Sequence, residues 1–184
     1  MSSVRSITLI IKTLAIVIGL GSTHVMATNF NYSNLEVGFT NNPSGLAGTG
    51  RFAFMDGAHF IVNASSQFEG DWIVSGGAGF QAPINGFVDI HGDARIYSVK
   101  FPEDDKHDFG ELAYGVNVGV RAWVMPQIEA TAIVGQVAFD SDDTRSVVEL
   151  GGRFHSTDAL SIGILYRANG LYKEQFYSNV RFEF

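Results

Sequence analysis

From Asn31 onward, apolar residues take every second position in stretch after stretch, the period of a strand whose two faces meet different surroundings. In the last stretch, "QFYSNVRFEF", Phe176, Val180, Phe182 and Phe184 share one face, and Gln175, Tyr177, Asn179, Arg181 and Glu183 the other. The first, "NYSNLEVGFT", sets Leu35, Val37 and Phe39 against Asn34, Glu36 and Gly38. Between them, "GLAGTGRFAF", "HFIVNASSQF", "DWIVSGGAGF", "GFVDIHGDARIYSV", "ELAYGVNVGVRAWV", "IEATAIVGQVAF", "SVVELGGRFH" and "LSIGILYRAN" repeat the alternation. The pattern predicts ten strands, with eight as the alternative count.

The connections alternate in length. "NNPSG", "EG", "KFPEDDKHDFGE", "DSDDT" and "NGLYKE" join one set of strand ends; the tighter "MDGA", "APING", "MPQ" and "STDA" join the other. Outer-membrane barrels combine short periplasmic turns, longer outer loops and an even number of strands. The expected fold is therefore all-β, an antiparallel up-and-down transmembrane β-barrel. Outward aromatics support it: Phe54, Phe60, Phe80, Phe154, Phe182 and Phe184 fall near the turns, and Phe39, Phe68, Trp72, Tyr114, Tyr166 and Phe176 near the loops. Aromatic rings settle at the two headgroup layers of a bilayer, with aliphatic residues between. A soluble β-sandwich gives no reason for two such belts.

The amino-terminal residues predict export. "MSSVRSITLIIK" carries Arg5 and Lys12, "TLAIVIGL" is apolar throughout, and Val25 and Ala27 supply the small residues of a cleavage site. The expected division is a signal peptide over 1–27 and a barrel over 28–184. Of 184 residues, removal of 27 leaves 157. Ten strands of about 10 residues leave about six for each connection. Without Arg5 and Lys12 the 12 basic residues fall to 10 against 19 acidic, which excludes nucleic acid as a partner. There is no cysteine, hence no disulfide framework and no thiolate metal site.

With this leader, the alternation and the terminal "VRFEF", the chain resembles the small outer-membrane β-barrel proteins of Gram-negative bacteria, the OmpX/Ail-like and porin-like group. Within it, "NYSNLEVGF", "YGVNVGVRAWVMPQIEATA" and "VELGGRF" look most like a ten-stranded subgroup. The resemblance implies residence in the cell outer membrane among lipid and lipopolysaccharide. It also implies assembly by the barrel-assembly machinery, with Val180, Phe182 and Phe184 as the assembly signal.

The inward face collects Glu36, Asp89, Asp93, Glu129, Glu149 and Glu183 with Arg51, Arg95, Arg121, Arg153, Arg167 and Arg181, acids and bases in equal number. Enclosed charges persist when paired. Side chains just fill a barrel of about eight strands, whereas open channels are typical at 16 to 18. The expectation is therefore a lumen filled by six matched pairs and a structural or surface-interaction role. A narrow porin-like channel for small solutes is the alternative, and a lipid-modifying enzyme comes third.

Two constellations bear on the enzyme reading. His155, Ser156 and Asp158 resemble the residue set of outer-membrane lipid A deacylases, but neighbours on a strand face opposite ways and these lie on the turn side. Glu103, Asp104, Asp105, His107 and Asp108, with Asp140, Asp142 and Asp143, resemble the acid and histidine sets of omptin proteases, which are larger barrels. Hard oxygen ligands also suit divalent cations, but the spacing is not that of an EF-hand, and a solvated acidic loop is the expectation. No catalytic residue, metal ligand or cofactor is assigned, and no extracellular ligand is identified.

Overall fold

The computed structural model describes residues 29–102, 110–141, 143–171 and 173–184. The expected cleavage site, the acid and histidine set Glu103, Asp104, Asp105, His107 and Asp108, and Asp142 lie outside them. The fold is a closed antiparallel barrel of ten strands: β1 (Asn34–Asn41), β2 (Gly45–Met55), β3 (Ala58–Ser66), β4 (Trp72–Asn85), β5 (Val88–Lys100), β6 (Glu111–Met125), β7 (Ile128–Phe139), β8 (Thr144–His155), β9 (Leu160–Gly170) and β10 (Lys173–Glu183). Each strand pairs with its sequence neighbours, and β1 closes on β10 with Leu35 opposite Phe182 and Val37 opposite Val180. Closure pairs every edge, the condition for β-structure in hydrocarbon.

The outer face is apolar around the whole ring. Val37, Val62, Val74, Ile96, Val134, Leu150, Ile162 and Val180 all stand exposed, which suits lipid rather than water. Exposed aromatics gather toward both ends, with Phe52, Phe54, Phe60, Phe154, Phe182 and Phe184 near the turns and Phe39, Tyr114 and Phe176 near the loops. Together with the closed ring, this makes the chain a transmembrane barrel.

Inward positions are filled by a large-against-small pattern across the strands. His59 faces Gly79, His91 faces Gly119, and Arg153 faces Gly163 in direct register. A Cβ on Gly163 would lie 2.9 Å from Arg153 Nη2, so the glycine leaves the space that the guanidinium occupies. Such alternation lets a narrow barrel hold long polar side chains.

Two features depart from the sequence expectation. The first strand begins at Asn34 rather than Asn31, because the Asn31 side chain accepts the Ser33 N–H at 2.7 Å and turns residues 29–33 into the barrel. The loop end of the lumen is also apolar: Ile73, Tyr97, Val99, Ala113, Val137 and Phe139 form a buried cluster, with Phe101, Val147 and Leu171 against it.

Candidate functional site

Strand parity carries all twelve charged residues singled out above to the inner side of the wall, and register then decides which of them meet. Near the turns, Arg121 on β6 donates two parallel bonds to Glu129 on β7, at 2.8 and 2.9 Å. His155 on β8 donates from Nε2 to the same carboxylate at 3.0 Å, and Thr131 adds a hydroxyl at 3.0 Å. Arg181 on β10 lies 3.7 Å from both Glu129 and Glu183, and Arg121 lies 4.0 Å from Glu183. Higher up, Glu36 accepts from Arg153 at 2.7 Å and from Arg181 at 3.0 Å, while Asn179 and Ser161 hold the rest of the Arg153 fork. Toward the loops, Asp93 pairs with Arg95 at 2.6 and 2.7 Å, and Glu149 with Arg167.

The expected six matched pairs are not what forms. Asp89, fully buried, faces Arg121 in register, yet that guanidinium turns to Glu129. Asp89 is instead held by Asn29, whose backbone N–H lies 3.3 and 3.2 Å from the two carboxylate oxygens and whose Nδ2 donates at 2.7 Å. Arg51, half-buried, forms no ion pair or hydrogen bond among the described residues; Glu36, Arg181, Arg95 and Arg121 are the charges around it. Parity identifies inward residues, but pairing depends on how far each side chain reaches across strands, which alternation does not encode.

Residues 29–33 form a septum across the turn end of the lumen. Trp123 Nε1 donates to the Asn29 carbonyl at 3.2 Å, and the Trp123 ring stacks on Phe30 with centroids 5.0 Å apart. The Arg121 guanidinium lies 4.4 Å from the Phe30 ring centroid and 5.0 Å from that of Tyr32, a cation between two aromatic faces. Tyr32 stacks on His59, which bonds Gln81 at 2.5 Å. Burial pushes the Tyr32 hydroxyl up to about 12. At the rim, Asn31 Nδ2 donates to the Phe184 carbonyl, and the Phe184 N–H to the Ser33 carbonyl, both at 3.1 Å.

The lumen is not completely filled. A cavity of about 160 Å³ extends from Thr40, Gln67 and Leu171 at the loop end to Tyr32 and Arg121 at the septum. Among the described residues its wall includes Arg51, Arg95, Arg121, Arg153, Arg167 and Arg181 and two acids, Glu36 and Glu149, both engaged by arginine. Across the septum, a recess of about 410 Å³ is lined by Asn29, Phe30, Asn31, Trp123, His155 and Glu183, among others. Six guanidinium groups, one of them without a bonded partner among the described residues, give this wall the donors to hold a small anion. Arg145, which sequence reasoning passed over, stands at the loop end over the Phe101 and Phe139 rings; its place on the Arg153 side of β8 was the available signal.

His155, Ser156 and Asp158 do not assemble. His155 is buried against Glu129, Ser156 Oγ bonds the Leu160 carbonyl in the turn, and Asp158 is exposed. Asp140 and Asp143 are exposed beside the loops, Asp143 pairing with Arg145 at 3.0 Å. Val180, Phe182 and Phe184 lie on the outer face of β10 and its end, the Phe184 ring against Phe52 and Phe182.

No protein-family model matches the sequence, and no curated protein matches it. Among solved structures, the barrel is similar to the KdgM porin, with a TM-score of 0.56 at 8% identity, covering 83% of this chain and 99% of that one. It is equally similar to a KdgM porin in complex with disordered oligogalacturonate, at 0.56 and 8%, covering 82% and 98%. The NanC porin aligns over 82% of this chain and 98% of its own, with 8% identity and a TM-score of 0.48. At such identity the likeness shows the fold, a closed barrel of the kind found in outer-membrane porins.

Proposed function

We propose that the chain is an outer-membrane barrel whose lumen is a narrow passage for small anionic solutes, delivered to the membrane by a leader cleaved after Ala27. The loops then face outward and the turns face the periplasm. The observation that carries this reading is the cavity wall, where Arg51 has no bonded partner among the described residues and five further arginines face two engaged glutamates. Such a wall lowers the cost of an anion that has left water and raises it for a cation. The oligogalacturonate in one KdgM structure is a carboxylated saccharide, in keeping with an anionic solute.

The paired charges and the septum favour a second reading, a closed barrel with a structural or surface-interaction role. Lipopolysaccharide would surround either barrel, and the barrel-assembly machinery would insert it. Planar-bilayer recording of the mature protein, beside a form lacking residues 28–32, separates the two. Small currents with an anion-selective reversal potential, larger in the shortened form, support the passage. Absence of current from both forms, each shown to be folded by a heat-dependent gel shift, leaves the closed barrel.

A further inference from the structure

The lumen cavity has two chemically different sides, and its arginines account for only part of them. From β10 through β1 and β2 to β3 the wall is mainly polar, with Gln175, Thr40, Thr49 and Asn63. From β5 through β9 it carries Tyr97, Ile133, Val137, Val147 and Leu165, beside Arg95 and the paired Glu149 and Arg167. Part of this side is one packed surface. A Cβ on Gly115 would stand 2.8 Å from the Tyr97 ring and 3.2 Å from Val137 Cγ2, and Val147 lies against the same cluster. A hydrated inorganic anion gains nothing from such a surface, whereas an apolar body that covers it does.

Donors for a charged head group stand next to that surface. Arg51 has no bonded partner among the described residues, and Arg95 is one of the charges around it. Tyr97 is the next inward residue after Arg95 on β5. His91 Nε2 is buried, has no hydrogen-bond partner among the described residues and belongs to a side chain lining the same cavity, with Arg51 among the charges near it. A neutral imidazole can carry its proton on that nitrogen.

We infer that the lumen holds a site for organic monocarboxylates with a single apolar ring, the carboxylate on Arg51 and His91 and the ring on Tyr97, Val137 and Val147. The site rests on the anion-taking lumen proposed above and names the class of solute. Size agrees with one ring: the cavity is about 160 Å³, and a cavity of about 150 Å³ walled by aliphatic and aromatic side chains holds benzene. A ring bearing several hydroxyls would lose water against the apolar side without replacing its hydrogen bonds.

The test is calorimetric titration of the mature barrel, folded in detergent micelles at about pH 8, where carboxylates are ionised. The probes are benzoate, acetate, which lacks the ring, and benzyl alcohol, which lacks the charge. Benzoate should bind at least about tenfold more tightly than either. Arg51→Gln should abolish its advantage over benzyl alcohol. Val147→Thr, close to the same shape, should weaken benzoate about threefold and leave acetate unchanged. Equal benzoate affinity in wild type and Arg51→Gln is partition into the micelle and overturns the site, as does no binding at all. Should Val147→Thr lose its heat-dependent gel shift, the wild-type series decides, with acetate as tight as benzoate overturning the site. Planar-bilayer recording separates the two proposals. Anion-selective currents that treat benzoate and acetate alike leave the passage and overturn the ring site. Selective benzoate binding, with no current from the mature or the shortened form, supports the ring site and overturns the passage.

Discussion

Arg153 on β8 and Glu36 on β1, 117 positions apart in the chain, meet at 2.7 Å inside the barrel. Glu36 is also bonded by Arg181, so a single carboxylate is shared by two guanidinium groups. Removing one member of a buried pair typically costs about 3 to 5 kcal/mol, because the other keeps its charge without compensation. Glu36→Gln should therefore lower the unfolding free energy by about that amount, whereas Asp143→Ala, which breaks an exposed pair with Arg145, should cost about 0 to 1 kcal/mol. Denaturant titrations in phospholipid vesicles measure both, and equal costs would mean that water screens Glu36 as well as it screens Asp143.

Adjacent glycines on β4 should respond in opposite ways to alanine. A Cβ on Gly76 meets nothing within 4 Å, whereas one on Gly77 would run into the Ala94 carbonyl of the paired strand. Gly76→Ala should be neutral or stabilising by up to about 1 kcal/mol, since it narrows the unfolded ensemble. Gly77→Ala should destabilise by about 1 to 3 kcal/mol, as overpacking does when backbone has to move. The same unfolding titration reads both, and similar values for the pair would contradict the close approach of β4 and β5.

The strands were legible in the sequence because period-2 alternation is local and a bilayer outside with a polar lumen inside exaggerates it. The Leu35, Val37, Phe39 face and the Glu36 face follow from that alone. Register does not, so the Asp89 and Arg51 partnerships were misjudged. Asn31 to Ser33 read as strand for a different reason: Tyr32 keeps the parity of Asn34 and Glu36, so the alternation runs on past the bend. The Asn31 and Ser33 turn chemistry was the sign of that bend, and the burial of Phe30 and Tyr32 is its consequence. The apolar loop end was available from parity, since two further steps beyond Arg95 reach Tyr97 and Val99.

Charge selection and stability should separate between two arginines of one wall. Arg51 has no bonded partner among the described residues, so Arg51→Gln should change stability by only about 0.5 kcal/mol while shifting the reversal potential toward cations. Arg153→Gln should do the reverse in magnitude, because it releases Glu36, Ser161 and Asn179 together. Reversal potentials under a salt gradient and unfolding titrations are the two readouts. A stability loss at Arg51 as large as at Arg153 would count against its role as the free cation of the passage.

Phe184 tests whether the carboxy-terminal aromatic acts in assembly rather than in the finished barrel. Its ring is 58% exposed on the outer face, and that of Phe154, in the same turn-side belt, is 45% exposed. Phe184→Ala keeps the backbone bonds to Ser33 and Asn31 and removes only the ring, with its contacts to Phe52 and Phe182 worth about 0.5 to 1.5 kcal/mol each. Phe154→Ala removes a comparable ring from the membrane interface without touching the terminus. If Val180, Phe182 and Phe184 are read during insertion, the two variants should refold in vesicles with similar stability, yet Phe184→Ala should accumulate in outer-membrane fractions to a far lower level. Quantitative blotting of those fractions checks this, and equal accumulation of the two variants would leave Phe184 a belt residue like Phe154.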